Sequence, residues 1–215
     1  DDAPIGADRR STVEPFAERL AGHGHAVEME QRLQFAQDGV ETAGGAYAAF
    51  VSALLAWGFL EITFLTGLLT GPRKQACPPD CRGWRHFRHG VEVILYHEIA
   101  IILAAAVVLA LTWGEPNGFG AWAFMILWVM RQSSKLNLFL GVRNLSEDFL
   151  PEHLRYLAAF FRRRPMNFLF PVSITGATLG TAWLTWQALA ADSAFAATGY
   201  GLLAALMALA LLEHW

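Results

Sequence analysis

The stretch that decides the fold is Val91–Trp113, VEVILYHEIAIILAAAVVLALTW. It has the length and apolar character of a helix that crosses a bilayer, which needs about 20 such residues. Near its start it keeps His97 and Glu98 side by side. A charged side chain within a span costs about 2.5–3.5 kcal/mol on insertion scales, so it normally faces a partner or a water-filled cavity. If the helix begins at Val91, the two residues lie about two turns inside it. Both point inward only where this helix is contacted from two sides, which suits a central position in a bundle.

Composition places the whole chain in the same class. Of 215 residues, 54% are hydrophobic and only 16% are charged, with a mean hydropathy of +0.33. Eight Trp and fifteen Phe supply the aromatic anchors expected at membrane interfaces. The net charge of −3 conceals a segregation, because residues 1–42 hold nine of the nineteen acids but four of the sixteen basic residues. No domain is strongly basic, which argues against nucleic acid as a partner. Residues 1–42 read as a polar N-terminal segment, disordered or foreign to the rest, and residues 43–215 as the transmembrane domain. The chain has no initiating Met and stops inside the apolar run LMALALLEHW, so it reads as a fragment cut at both ends.

Five apolar segments are long enough to be spans, giving an all-α, polytopic transmembrane bundle. They run over Ala43–Leu69, Val91–Trp113, Phe119–Leu140, Phe168–Leu189 and Phe195–Trp215. The connections alternate in charge. The first carries Arg73, Lys74, Arg82, Arg85 and Arg88, the second only Glu115, the third Arg143, Arg155 and Arg162 to Arg164, and the fourth only Asp192. The excess of Lys and Arg in cytoplasmic loops then assigns the first and third connections to the cytoplasm of a bacterial inner membrane.

Within the third connection, SEDFLPEHLRYLAAFFRRRP predicts an amphipathic helix lying in the interface. Ser146 and two acids suit its start, and Phe149, Leu150, Leu154, Leu157, Ala158 and Phe161 recur at helical spacing. Arg162, Arg163 and Arg164 close it and are expected to contact lipid headgroups.

Given the topology, Glu61, His97, Glu98, Arg131, Lys135, Asn137, Glu213 and His214 all fall in one half of the bilayer. Arg131 and Lys135 are four apart and share a helix face, with Ser134 on the same side. Three readings fit this polar cluster. It is an ion-pair network that fixes helix register, a path for protons or a small anion, or a site for a divalent metal or a tetrapyrrole such as bacteriochlorophyll. For the last, His97, Glu98, Glu61 and His214 are the candidate ligands. No Glu-x-x-His pair occurs on one helix, so the di-iron bundle pattern is missing.

Three further signals are weaker. Cys77 and Cys81, with His86 and His89 downstream, form a loose zinc-site pattern. The short, proline-containing loop favours two reduced thiols instead. Gly176 and Gly180 permit close helix approach. No phosphate loop or nucleophile elbow follows a strand, so nothing in the chain forces an enzyme.

Four stretches carry a family resemblance: GAYAAFVSALLAWGFLEITFLTGLLTGPRK, CPPDCRGWRHFRHGVEVILYHE, LWVMRQSSKLNLFLGVRNLSEDFLPEHLRYLAAFFRRRPMN and the closing LEHW. From about Gly45 to Trp215 the chain resembles the photosynthetic complex assembly protein 2 family (PuhE-like) of purple photosynthetic bacteria, most specifically over KLNLFLGVRNLSEDFLPEHLRYL. The resemblance implies a polytopic inner-membrane protein that helps assemble the reaction centre–light-harvesting complex or regulates its pigment supply. Photosynthetic membrane proteins or pigment-pathway proteins would be its partners. Members of the family have apolar helices before the segment matching Gly45 and continue beyond LEHW, so helices are expected at both ends.

Overall fold

The computed structural model describes residues 40–145, 147 and 150–214. Residues 1–39, Ser146, Asp148, Phe149 and Trp215 lie outside it, and with them most of the polar N-terminal segment and the expected start of the interfacial helix. The described chain is all-helical. Its helices are α1 (Ala43–Leu65), α2 (Gly83–Glu92), α3 (Leu95–Thr112), α4 (Phe119–Leu140), a 3-10 segment (Glu152–Phe160), α5 (Leu169–Leu189) and α6 (Ala194–Glu213).

Five of these helices fall on the five apolar segments. By length and composition, α1, α3 and α6 qualify as membrane-crossing. Their outward faces are apolar, with Leu55, Phe59, Ile102, Leu103, Val107, Leu209 and Leu212 all exposed, so the chain is a membrane protein. The sequence of α4 is diluted by Arg131, Gln132, Lys135 and Asn137, and that of α5 by four threonines and a glutamine. In α5, Thr178, Thr181 and Thr185 donate to the carbonyls of Ile174, Ala177 and Thr181 at 2.8 Å each, which satisfies the hydroxyls inside their own helix.

The centre of the bundle is α4. It packs on α1, α3, α5 and α6, while α3 is contacted by α1 and α4. The α1–α4 crossing is close because Gly120 presents no side chain: a Cβ there would lie 2.8 Å from the carbonyl oxygen of Ala49. Trp57, Ile101, Phe124, Leu184 and Leu203 from five helices form the main core. Trp57 and Phe124 meet edge to face at 5.4 Å.

The connections sort to two ends. Asn117 donates to the carbonyls of Val40 and Gly45, and Phe119 meets Phe195, joining the starts of α1, α4 and α6 at one end. At the other end His153 bonds the carbonyl of Leu65, and Arg162 N–H donates to Leu138. The two arginine-rich connections therefore share one end of the bundle.

Two details depart from the sequence reading. The helix expected from Val91 is broken: Val91 and Glu92 close α2, and α3 starts at Leu95. No Pro or Gly marks the break. Its cause is tertiary, because the loop at Thr70–Arg73 crosses the junction. Thr70 accepts from His97 N–H at 3.0 Å, Arg73 N–H donates to Glu92 at 3.5 Å, and Arg73 pairs with the Glu92 carboxylate at 3.7 Å. Gly71 makes this crossing possible, since a Cβ there would fall 2.0 Å from the Glu92 carbonyl oxygen.

The expected interfacial helix is a 3-10 segment following Pro151. Its buried residues are Leu154, Leu157 and Phe160, spaced three apart, which matches three residues per turn rather than 3.6. They are buried against Phe64 and Val93 of the protein, so this face is covered by the bundle and not by lipid.

At Gly71, replacement by Ala should destabilise the protein by about 1–3 kcal/mol or more, as overpacking against backbone does. Gly176, where an added Cβ would meet nothing within 4 Å, should accept Ala with no loss or with a gain of up to about 1 kcal/mol. Thermal unfolding in mild detergent checks both.

Candidate functional site: a polar network around the central helix

Polar residues of α4 meet polar partners on each of the four helices packed against it. Arg131 Nη2 donates to Glu61 Oε2 of α1 at 2.9 Å, and its Nη1 lies 4.0 Å from Glu213 Oε1 at the end of α6. Lys135 Nζ donates to Glu98 Oε1 of α3, and Gln132 Nε2 donates to the other oxygen of the same carboxylate. Ser133 Oγ bonds Ser173 Oγ of α5 at 2.8 Å and lies 3.0 Å from His214 Nε2 beyond α6. His214 Nδ1 donates to the Ala210 carbonyl at 2.8 Å.

Asn137 donates to Ser133 O at 2.9 Å and to Ser173 Oγ at 3.2 Å. Its own Oδ1 accepts from Asn167 at 3.0 Å. Asn167 also donates to Gly141 O and accepts from the N–H groups of Leu169 and Phe170. It thereby satisfies two of the free donors at the start of α5. Sequence reading misses Gln132, Ser133, Ser173 and Asn167. These four carry no charge that asks for a counter-ion, and only the helix crossing reveals their pairing.

The break before Leu95 changes the position of His97 and Glu98. They lie in the first turn of α3 and not two turns inside a span. Glu98 is favoured there by the positive end of the helix dipole. His97 has no exposed surface. Its ring packs 4.6 Å from the Phe64 ring, and neither ring nitrogen has a hydrogen-bond partner. Nε2 lies 3.8 Å from Glu61 Oε1, beyond hydrogen-bond reach, and that carboxylate oxygen is itself without a hydrogen bond.

Glu61, Arg131 and Glu213 line a half-open cleft of about 230 Å³, together with Trp57, Leu127, Met130, Ser134 and Ala210. Its floor combines a carboxylate–guanidinium pair with apolar walls, an arrangement suited to a small polar group entering beside hydrocarbon. The candidate metal ligands divide between separate partners: His97 faces Glu61, Glu98 holds Lys135, and His214 holds Ser133. Among the described residues, no three of them bring ligand atoms within 4.8 Å of one another. Arg162, expected at the headgroups, lies with its guanidinium carbon 5.4 Å above the Phe139 ring, while exposed Arg163 pairs with Glu147 at 3.2 Å.

The Glu61–Arg131 pair should show a double-mutant coupling of about 0.5–3 kcal/mol. Glu61→Gln alone should lower the unfolding temperature in detergent more than Glu61→Gln combined with Arg131→Gln, because the single variant strands a partly buried cation. Additive effects would remove the pair from the stability of the bundle.

A family model described as "Protein of unknown function (DUF3623)" matches residues 16–215, starting well before the Gly45 at which the sequence resemblance begins. A curated relative from Rhodobacter capsulatus, "Uncharacterized 30.4 kDa protein in puhA 5'region", is 46% identical over 173 residues. The alignment covers 80% of this chain and 62% of that relative, so the chain spans less than two thirds of the relative's length. No solved structure matches the chain.

Proposed function

Because the chain belongs to the DUF3623 family, we propose that it is a multi-pass inner-membrane protein that assists assembly or regulation of the photosynthetic reaction centre–light-harvesting apparatus. The observation that carries this reading is the 46% identical relative named for the puhA 5' region, a neighbourhood we read as a photosynthesis gene cluster. The resemblance to the photosynthetic complex assembly protein 2 family points the same way. In this reading the apolar outer faces of α1, α3 and α6 meet lipid and photosynthetic membrane proteins, and the α4 network keeps the bundle in one register while they do so. The two arginine-rich connections face the cytoplasm.

A second reading, a tetrapyrrole or metal site at the cluster, draws on the unpartnered nitrogens of His97. Two magnitudes weigh against the pigment form. Ligand sites for drug-sized molecules occupy about 300–1,000 Å³, and a tetrapyrrole is larger than most such molecules, whereas the cleft holds about 230 Å³. His97 has no exposed surface, so a pigment reaches it only if the α1–α3 contact opens.

Reporter fusions after Lys74 and after Arg164 should read cytoplasmic, and one after Gly118 periplasmic; the opposite pattern overturns the orientation. In a Rhodobacter capsulatus strain lacking the relative, membrane absorbance of the reaction centre and light-harvesting bands should fall. The gene encoding this chain should restore it, and the same gene with Arg131→Gln should restore it less. Unchanged bands in the deletion strain would reject the assembly role. An absorption spectrum of the purified protein with bound pigment would favour the second reading.

A further inference from the structure

A second polar cluster lies outside the α4 network, at the arginine-rich end of the bundle. Four side chains converge where the loop after α1 runs into α2. The Sγ atoms of Cys77 and Cys81 are bonded to one another, in place of the two separate thiols that the sequence favours. His89 Nδ1 lies 3.4 Å from the Cys77 sulfur and 3.3 Å from the Cys81 sulfur. A ring nitrogen of His86 completes a group with the two sulfurs in which all ligand atoms lie within 4.8 Å.

We infer that Cys77, Cys81, His86 and His89 form a tetrahedral site for a zinc-type divalent cation when the two cysteines are reduced.

Three observations carry this. The first is chemical: two thiolates and two imidazoles are a zinc donor set, and an S2N2 tetrahedron selects zinc over the harder cations. The second is metric. With Zn–S of about 2.3 Å and Zn–N of about 2.0–2.1 Å, sulfur and nitrogen ligands in a tetrahedron lie about 3.6 Å apart. The two sulfur–His89 distances of 3.3 and 3.4 Å are within a few tenths of an ångström of that. The third is an unsatisfied group. His86 is 8% exposed and His89 6%, yet His86 Nδ1 is buried without a hydrogen-bond partner. Buried polar groups are normally paired.

The surroundings are those of a built site. α2 turns His86 and His89 inward and leaves Arg82, Trp84, Arg85, Phe87 and Arg88 exposed. The His86 ring stacks 5.3 Å from Phe139 and 5.4 Å from Phe160, which fixes its plane between α4 and the 3-10 segment.

The two states interconvert by ordinary chemistry. An external dithiol supplies two electrons and two protons to the Cys77–Cys81 bond and becomes a disulfide itself, leaving two thiols. The incoming cation then displaces both thiol protons and forms two metal–thiolate bonds. Bound there, it would clip the loop after α1 to α2. This inference stands whether or not the photosynthetic role holds.

The test uses the full 215-residue chain in mild detergent, reduced with a phosphine and titrated with Co²⁺. One equivalent should bind with tetrahedral ligand-field bands and thiolate-to-metal charge transfer, and Zn²⁺ should bleach both. The oxidised protein should show neither. Cys77→Ser and Cys81→Ser should each abolish the charge-transfer band. His86→Asn and His89→Asn should each weaken Co²⁺ binding by at least the roughly 10–100-fold that loss of an outer hydrogen-bond partner costs. In the unsubstituted reduced protein, Zn²⁺ should also protect Cys77 and Cys81 from alkylation, a readout independent of whether the variants fold. Absence of Co²⁺ uptake and of alkylation protection in the helical, monodisperse reduced protein overturns the site. Binding with an octahedral spectrum that the cysteine variants leave unchanged overturns it too, as an adventitious ion only.

Discussion

The bundle depends on the need to neutralise one helix. α4 carries Arg131 and Lys135 where water is scarce, and breaking one partner from such a pair costs about 3–5 kcal/mol when the pair is buried. The two cations do not share one acid. Arg131 takes Glu61 of α1, and Lys135 takes Glu98 of α3. Ser133 takes Ser173 of α5 and His214 beyond α6. Every helix that packs on α4 therefore brings it at least one polar partner. Apolar packing alone tolerates sliding and rotation of helices in lipid, since a leucine is as well placed against a lipid tail as against another leucine. Four directed contacts at one level of α4 remove that freedom, because sliding a helix by one turn, about 5.4 Å, separates its pair.

The break before α3 serves the same end. A continuous helix from Val91 would place Glu98 about two turns from the nearest helix start. Ending α2 at Glu92 and starting α3 at Leu95 puts Glu98 in a first turn, where the helix dipole favours a carboxylate. The backbone N–H of His97, in the same turn, is met by the Thr70 carbonyl. The crossing loop thus ends one helix and caps the next, and Gly71 is the residue that lets two backbones come this close. A buried imidazole and a carboxylate are kept side by side because they stand at a helix start and face different partners.

Much of this is legible in the sequence, and the failures have physical reasons. The apolar runs mark five helices within a few residues of where they lie, and the charged positions mark Glu61, Glu98, Arg131 and Lys135 as one group. The break at Val93 is invisible there because no local residue causes it; a loop about twenty residues earlier does. A period of 3.6 applied to the segment after Pro151 selects Phe161 and passes over Phe160. Its buried residues Leu154, Leu157 and Phe160 follow a period of three. α2 reads as part of a connection, because its apolar face consists of Trp84 and Phe87 among arginines and a hydropathy scan averages these away.

The two polar systems are joined through aromatic rings. Phe139, near the end of α4, stacks on His86 and meets Phe87 edge to face, while Arg162 covers it at 5.4 Å. The last turn of the charged helix is therefore held by α2 and by the strand-like segment that pairs Val142 with Arg163. Asn137 and Lys135 lie within about one helical turn of Phe139 along α4. The surface of α2 that faces outward, Trp84 with Arg85 and Arg88, has the amphipathic chemistry of a membrane interface, an apolar ring beside cations that reach headgroups. At the arginine-rich end, Phe139 thus joins an amphipathic outer helix to the last turn of the charged helix.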